Sequence, residues 1–280
     1  MPRRPRSAGS TAAAPIHERV DGARRGSLIV VGTGLMLARH ATLETVEAIS
    51  CAGHVFHLVS NSATEAWIRR LNPNATSLGD CLAEGKPRTR SYSEIAGRIV
   101  EAVRGGVRVC AAFYGHPGVL VTSGRAAIAR ARAEGFDAHM LPGISAEDCL
   151  IADLAVPAPL LCWQSYEATD FLIYRRRIDP TVALILWQAG MLGEPSVRRD
   201  MRARPERLRV LTRVLLRHYS PRHPVVLYEA AQLPTSSPIV ERVTLASLPR
   251  QSIYPKTTLY VAPRPATRSD AAVARWLMQA

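Results

Sequence analysis

Along the first half of the chain, short apolar runs alternate with longer segments in which apolar residues recur every three or four positions. The short runs predict strands at 28–31, 54–60, 107–112 and 138–141. The periodic segments predict helices at 41–52, 63–71, 91–104, 126–134 and 146–154. Alternation of this kind is typical of an α/β fold.

The pattern changes beyond residue 156, where strand-like runs outnumber helical segments. Strands are predicted at 160–165, 182–188, 224–229, 239–245 and 257–262, with one basic helical stretch at about 198–218. We therefore predict two α/β domains, 26–141 and 144–265, joined near Pro142-Gly143. A disordered basic tail, 1–25, is expected before them and a short terminal helix, 266–280, after them.

A capping box, Ser91-x-x-Glu94, predicts the start of the third helix. Before it, residues 72–90 show no clear periodicity and predict a loop of a length that is often functional. Arg88 in this loop lies four residues before Tyr92, so the two side chains would share one side of a helix that began slightly early. Guanidinium and phenol could then cooperate; an exposed arginine beside a packed tyrosine is the alternative.

The turn Tyr114-Gly115-His116-Pro117-Gly118 follows the third predicted strand of the first half. Its two glycines permit positive φ or close approach of a ligand, and its proline restricts one φ angle. Tyr114 and His116 would project from the carboxyl end of a strand, where open α/β sheets bind their ligands. This turn is therefore the first candidate for a ligand site.

Two further turns are candidates. Gly32-Thr33-Gly34 follows the first strand, but a dinucleotide site would need a small residue at Leu37 and an acidic one at Ser60. A conventional NAD site is therefore disfavoured, and a turn against another ligand or the domain interface is expected. The second is Ser145-x-x-Asp148, in which Ser145 would start a helix. The free N–H groups at this helix start suit a ligand carboxylate or hydroxyl; an ordinary capping box is the alternative.

The net charge of +13 is concentrated in two segments. Residues 1–26 hold six arginines against two acidic residues, and residues 197–222 hold nine against two. A solvated face explains this distribution and makes a nucleic-acid partner unlikely on composition, while a face that attracts an acidic peptide or nucleic acid is the alternative. We expect the solvated face.

The remaining composition restricts the class of protein. No apolar run reaches 18 residues, so no transmembrane helix and no membrane partner are expected. The five cysteines are scattered without a C-x-x-C pair, which predicts a reducing, cytoplasmic location. The eight histidines form no H-x-x-x-H or H-E-x-x-H pattern, so no metal site is predicted.

Over roughly residues 26–264 the motifs resemble the tetrapyrrole-methylase superfamily, and within it the borosin-type peptide backbone α-N-methyltransferases. The motifs are Gly32-Thr33-Gly34, Ala63-Thr64-Glu65-Ala66, 113–119, 141–150, Ala152-Asp153-Leu154, 165–170 and His223-Pro224-Val225-Val226. The resemblance implies a two-domain fold with the donor site in the cleft between the domains, S-adenosylmethionine as methyl donor, and a homodimer. It also implies these donor-binding residues: Tyr114, His116, Val119, Ser145, Ala146, Gln188, Tyr228 and Ala231.

The acceptor in this family is a peptide amide nitrogen, a poor nucleophile because its lone pair is delocalised into the carbonyl. Arg88 and Tyr92 match the family's catalytic Arg-x-x-x-Tyr pair. The resemblance implies that Arg88 stabilises the developing imidate oxygen, that Tyr92 accepts or relays the proton, and that Tyr114 orients the amide.

The chain departs from the family pattern at a residue that could help to remove the amide proton. The family usually has another tyrosine just before the catalytic arginine, but residues 77–85 contain none. Asp80 or Cys81 substitutes, or Tyr92 suffices, or activity is reduced or lost. Since the chain shows no stretch resembling a core peptide after its last strand, we expect the precursor peptide to be a separate chain. The alternatives are a methylase of a tetrapyrrole or ribosomal RNA, and a donor-binding scaffold.

Overall fold

The computed structural model describes residues 26–156, 162–198, 200, 202–265 and 270–279, which form ten strands and eight α-helices. The strands are β1 Ser27–Gly32, β2 His54–Leu58, β3 Ala75–Ser77, β4 Arg108–Phe113, β5 Asp137–Met140, β6 Trp163–Glu167, β7 Ala183–Trp187, β8 Pro224–Glu229, β9 Ile239–Thr244 and β10 Thr258–Val261. The helices are α1 Leu43–Cys51, α2 Ser62–Leu71, α3 Arg88–Arg104, α4 Thr122–Ala133, α5 Ala146–Asp153, α6 Ala168–Ile173, α7 Pro205–Leu215 and α8 Ala271–Gln279.

The first sheet is parallel throughout, in the order β3-β2-β4-β1-β5. Side chains alternate between its faces: Val30 packs with α3 and α4, whereas Val31 packs with α1 and α2. Burial on both faces explains why these strands read as short apolar runs in the sequence. Because all five strands are parallel, the turns that follow β1, β4 and β5 meet at one edge of the sheet.

The second sheet is mixed, in the order β6-β7-β10-β8-β9. Only β6 and β7 pair in parallel; β10 and β9 pair antiparallel with their neighbours. Its largest core cluster joins Leu184 and Leu186 of β7 to Leu208 and Leu211 of α7. On the other face, Ile185 packs near Cys149 and Leu150 of α5.

The two halves meet through backbone hydrogen bonds just before α3. Gly85 N–H donates to the carbonyl of Val197 at 2.7 Å, and Val197 N–H donates to that of Lys86 at 3.1 Å. Arg88 N–H donates to the carbonyl of Pro195 at 2.9 Å. The first turn of α3 is therefore held by the second half of the chain, which fixes its side chains against that half.

The α/β class is confirmed, and several element boundaries differ from the prediction. The predicted loop 72–90 contains β3 and a 3₁₀ helix, Gly79–Cys81. The capping box predicted at Ser91 is wrong: α3 begins at Arg88 after Pro87, and Ser91 is buried inside the helix with no partner for its hydroxyl. Since Arg88 finds a backbone acceptor in the other half, the helix starts one turn earlier.

Two more differences concern the helices. Helix α4 begins at Thr122, and the two-turn helix α6 was not predicted. The predicted tail 1–25 lies outside the described residues, and α8 falls within 266–280. The division into domains at 141–144 stays a prediction. In the part of the chain that the structure describes, no helix is long and apolar enough to cross a membrane.

Candidate active site

A cavity of about 340 Å³ lies where the carboxyl edge of the first sheet faces the second sheet. Its walls come from both halves of the chain, and its volume lies in the range typical of small-molecule sites. Most of the residues predicted to form the site line it: Arg88, Tyr92, Tyr114, His116, Val119, Ser145, Ala146 and Gln188. The fold therefore assembles these eight sequence-distant residues around one space.

Two glycine turns pack together beside this cavity. Gly34 and Gly115 exchange backbone hydrogen bonds, N–H to carbonyl, at 3.3 Å and 2.9 Å. Gly115 has a φ of +70°, and a Cβ placed on Gly32 would lie 2.1 Å from the Gly115 carbonyl oxygen. Only glycine allows this backbone contact. The turn after β1 thus supports the turn after β4.

His116 and Tyr114 face the cavity from the turn after β4. The Gly118 N–H donates to His116 Nδ1 at 2.9 Å, so Nδ1 is an acceptor and the ring proton lies on Nε2. Tyr114 is 45% exposed, yet enclosure by the cavity walls raises the pKa of its phenol; nearby Tyr92 adds to this and Arg88 opposes it. Tyr114 therefore stays a neutral hydrogen-bond donor.

Ser145 forms a complete capping box at the start of α5. Its hydroxyl accepts from the N–H groups of Glu147 and Asp148 and donates to Asp148 Oδ2 at 2.7 Å. The ordinary capping reading is correct for the side chain, whose hydrogen-bonding capacity is used within the helix. Ser145 and Ala146 nevertheless line the cavity, so the positive helix end is available to a ligand.

Arg88 connects three groups at one end of the cavity. Its Nε–H donates to the Tyr92 hydroxyl oxygen at 3.0 Å, and Nη2 donates to Gln188 Oε1 at 3.2 Å. Nη1 donates to the backbone carbonyl of Glu194 at 3.4 Å. The guanidinium plane is therefore held from both halves of the chain, with its charge beside two hydrogen-bonding side chains.

Gln188 holds a backbone conformation that glutamine rarely adopts. It follows β7 with φ 55° and ψ 34°, in the left-handed region, where a side chain costs about 1–2 kcal/mol. The Met191 N–H donates to its carbonyl at 2.8 Å, which closes the turn. Such strain is found at functional sites where the surroundings enforce it. Here it presents the amide of Gln188 to Arg88.

Behind Gln188, a buried carboxylate organises part of the arginine cluster. Glu194, with 8% of its side chain exposed, accepts hydrogen bonds from Arg198 at 2.9 Å and Arg207 at 3.1 Å, and lies 3.9 Å from Arg204. Burial opposes ionisation, but these hydrogen bonds outweigh it and lower the pKa of Glu194. Three of the nine arginines in 197–222 thus surround one buried carboxylate.

A second cavity, of about 500 Å³, adjoins the first. The two cavities share five lining residues: Arg88, Tyr92, Leu120, Thr122 and Gln188. The second continues past these residues to Asp170 and Ile173 of α6 and to Gly193. We call these five shared residues the junction. A molecule in either cavity can reach the Arg88–Tyr92 pair from its own side.

Two predicted donor-binding residues, Tyr228 and Ala231, are not among the residues that line this cavity. Tyr228 is fully buried on β8 and donates its hydroxyl to Asp153 Oδ2 at 2.7 Å, and burial and Asp153 raise its pKa. Because strand residues alternate between faces, its side chain packs with Cys149 and Leu150 of α5. Ala231 is also buried outside the cavity, whose wall is formed there by Ala230 and Gln232.

The structure also separates the candidates for a substitute base. Asp80 pairs with Arg98 at 2.6 Å at the surface, and the buried Cys81 belongs to the core beneath α3, where desolvation raises the pKa of its thiol. Neither faces the cavity. Within 77–85 the residue that lines it is Leu82. The position nearest to the site in this segment is therefore apolar.

Lys256 was not identified from the sequence, although it is one of only two lysines in the chain. It lines the first cavity and donates to Gln232 Oε1 at 2.9 Å; burial lowers its pKa, with Glu229 acting in the opposite direction. Ser60 also donates to this Gln232 oxygen, at 3.2 Å. The scarcity of lysine was the feature of the sequence that could have identified Lys256.

Among the described residues, no group of three or more His, Cys, Asp or Glu is arranged to hold a metal.

Comparison with known families identifies the architecture. A family model described as Tetrapyrrole (Corrin/Porphyrin) Methylases matches residues 27–249. The chain belongs to the tetrapyrrole methylase family. Solved structures of this fold agree: a uroporphyrin-III-C-methyltransferase from Thermus thermophilus has a TM-score of 0.61 at 18% identity, covering 89% of this chain and 99% of that one. The cobalt precorrin-4 methyltransferase structure has a TM-score of 0.60 at 15% identity, covering 89% and 98%.

Curated proteins with higher identity are named as a methyltransferase joined to a cyclic peptide precursor. The chain is 38% identical over 247 residues to a methyltransferase/ribosomally synthesized type I borosin cyclic peptide precursor of Coprinopsis marcescibilis. It is 36% identical over 258 residues to the methyltransferase/ribosomally synthesized cyclic peptide omphalotin A precursor of Omphalotus olearius. These alignments cover 86% and 91% of this chain but only 63% and 62% of the relatives. The resemblance to borosin proteins is confirmed.

Proposed function

We propose that this tetrapyrrole methylase is a methyltransferase that uses S-adenosylmethionine to α-N-methylate backbone amides of a precursor peptide, and that the peptide is a separate chain. The observation that carries the proposal is the position of Arg88 and Tyr92 at the junction of two cavities. A donor in the first cavity and an acceptor in the second would meet there. The borosin relatives, whose names join a methyltransferase to a peptide precursor, support this acceptor class.

The first cavity suits S-adenosylmethionine in size and chemistry. Its wall is mainly apolar, with the close-packed glycine turns, the Nε2–H of His116 and the start of α5 as polar features. Among the described lining residues none is a carboxylate, whereas Arg88 and Lys256 are cations, so the donor's carboxylate meets no like charge. When bound, S-adenosylmethionine supplies an activated methyl group. The residues that would hold it are Tyr114, His116, Val119, Ser145, Ala146 and Gln188.

The acceptor amide is activated by the residues of the junction. An amide nitrogen becomes nucleophilic only as its proton leaves and charge moves onto the carbonyl oxygen. Arg88, fixed by Tyr92, Gln188 and the Glu194 carbonyl, stabilises the negative charge on that oxygen. Tyr92 relays the nitrogen's proton, because its hydroxyl oxygen accepts that proton as its own hydroxyl proton passes to water. Neutral Tyr114, which lines the first cavity outside the junction, donates a hydrogen bond that orients the amide.

The experiment combines the purified chain, S-adenosylmethionine and synthetic peptides encoded near its gene. Tandem mass spectrometry would locate added methyl groups, and backbone nitrogens are the expected sites on a peptide supplied as a separate chain. Methylation confined to side chains contradicts the amide proposal. Donor binding in calorimetry without turnover on any peptide would instead support a donor-binding protein. Methylation that occurs only when the peptide is fused to the chain contradicts the proposal of a separate precursor and leaves the proposed methylation of backbone amides standing.

A homodimer is part of the proposal. Helix α8 exposes Trp276, Leu277 and Met278, a larger apolar surface than a short solvated helix needs. A second copy of the chain would cover such a surface. Light scattering on the purified chain, with Trp276→Ser and Leu277→Ser as paired variants, distinguishes a dimer that these changes weaken from a monomer that they leave unchanged.

A further inference from the structure

One residue of the junction differs in chemistry from the other four. Arg88, Tyr92, Thr122 and Gln188 carry polar groups, whereas Leu120 is aliphatic. Leu120 is 45% exposed. It therefore presents apolar surface at the point where the two cavities meet.

The backbone of Leu120 shows that this placement is maintained against its conformational preference. Its φ is +56°, in the left-handed region, where a side chain clashes with its own backbone. Neither core packing nor a hydrogen bond of its side chain compensates, since that side chain is half-exposed and has no polar atom. Strained residues of this kind concentrate at ligand sites. Gln188, the other strained residue of the junction, already contacts Arg88.

The geometry of the reaction places an acceptor side chain beside Leu120. This step rests on the proposed function, in which the reacting nitrogen lies at the junction. The Cβ of the residue that owns this nitrogen is only two bonds away, so its side chain lies at the junction as well. Because polar groups form the remainder of the junction, Leu120 is the surface against which an apolar side chain packs.

We infer that Leu120 is a specificity-determining residue that limits the size of the side chain on the residue being methylated. Its isobutyl group occupies space that a large acceptor side chain would need. A pocket distinguishes side chains by about 10-fold or more for each methylene group that it accommodates or excludes. Wild-type protein should therefore prefer a small acceptor residue, and shortening Leu120 should admit a large one.

Val119 provides a matched control. It is the neighbouring residue and another branched aliphatic side chain, but it lines the first cavity and not the second. Val119→Ala should weaken binding of S-adenosylmethionine and leave the preference among acceptors unchanged. Leu120→Ala should change that preference, and because Leu120 borders both cavities it can change donor binding as well. A general loosening of this turn would change the preference among acceptors in both variants.

The test uses two unmethylated versions of the precursor peptide that the chain methylates, one with Ala and one with Phe at the acceptor position. For Leu120→Ala the ratio of kcat/KM for Phe over Ala should rise about 10-fold or more above wild type. Leu120→Gly should show the same change and unfold at a temperature no lower than wild type, because glycine adopts positive φ without strain. This second variant separates loss of selectivity from loss of folding.

An unchanged ratio in both folded Leu120 variants would overturn the inference and leave the proposed function standing. An equal rise in Val119→Ala would also overturn it, because the effect would then belong to the turn as a whole. A wild-type chain that binds donor but methylates neither peptide would contradict the proposed function itself, and this inference with it.

Discussion

Arg88 donates its Nε–H to the hydroxyl oxygen of Tyr92 at 3.0 Å, across one turn of α3. The contact exists because α3 begins at Arg88, which places residues four apart on one side of the helix. That start depends on the Pro195 carbonyl of the other half, which accepts the Arg88 N–H. The pair is thus positioned by the contact between the two halves.

Removing the Tyr92 hydroxyl tests its part in proton transfer. Tyr92→Phe should lower kcat about 10²–10⁴-fold, the usual contribution of a general acid–base group, and leave the Kd for S-adenosylmethionine unchanged. Single-turnover kinetics and calorimetry measure the two quantities. Tyr174→Phe, at an exposed tyrosine that lines neither cavity, should behave as wild type. Full activity in Tyr92→Phe would show that the hydroxyl has no role.

The shape of the Arg88 side chain should matter as well as its charge. Lysine cannot donate to Tyr92, Gln188 and the Glu194 carbonyl together, because it lacks the planar guanidinium. Arg88→Lys should therefore lower kcat about 100-fold or more. The exposed Arg90 allows the same substitution two residues away, with no expected effect. Equal activity of the two variants would indicate that charge alone suffices at 88.

Leu82 stands in the segment where the borosin resemblance leads one to expect a tyrosine. Because Leu82 lines the first cavity near Tyr92, Leu82→Tyr would place a second phenol at the site. We expect its kcat to rise by about 10-fold, since a further acid–base group would share the proton transfer. Leu82→Phe adds the same ring without the hydroxyl and should give no increase. A rise in both would point to packing rather than proton transfer.

Tyr219 should make the fold sensitive to alkali. It is 4% exposed with no partner for its hydroxyl in the described part of the chain, and burial raises its pKa to about 12. A tyrosine in the unfolded chain has a pKa of about 10. The contribution of the protonated Tyr219 to folding stability is therefore complete below this pKa and is lost as the pH rises through the pKa of the folded state. Tyr219→Phe removes both the unsatisfied hydroxyl and this loss.

Urea unfolding of wild type and Tyr219→Phe at pH 7 and pH 11 measures the effect. The variant should be more stable at pH 7 by about 1 kcal/mol and should lose less stability at pH 11. Tyr254→Phe serves as the control because that ring is 49% exposed. A variant that loses as much stability as wild type between the two pH values would show that another group controls the alkaline transition.

Local patterns in the sequence were sufficient for much of the fold. Burial on both faces makes the strands of the first sheet apolar runs, and Ser145 with Asp148 forms the capping box that its spacing predicts. Tyr114, His116 and Gly115 follow a strand and so were identifiable as a ligand turn. The start of α3 was predicted incorrectly because the acceptor of the Arg88 N–H lies more than a hundred residues away.

For the candidate site, too, some features follow from the sequence and others from the tertiary structure. The sequence by itself determined which chemical groups are present: an Arg-x-x-x-Tyr pair, two glycine turns, a helix start and no tyrosine in 77–85. Only the tertiary structure decided which of them meet. It turned Tyr228 away into the core, excluded Asp80 and Cys81, and brought Lys256 and Leu120 to the cavity walls. Contact between distant segments depends on how two sheets pack, and that information is spread over the whole chain rather than contained in any motif.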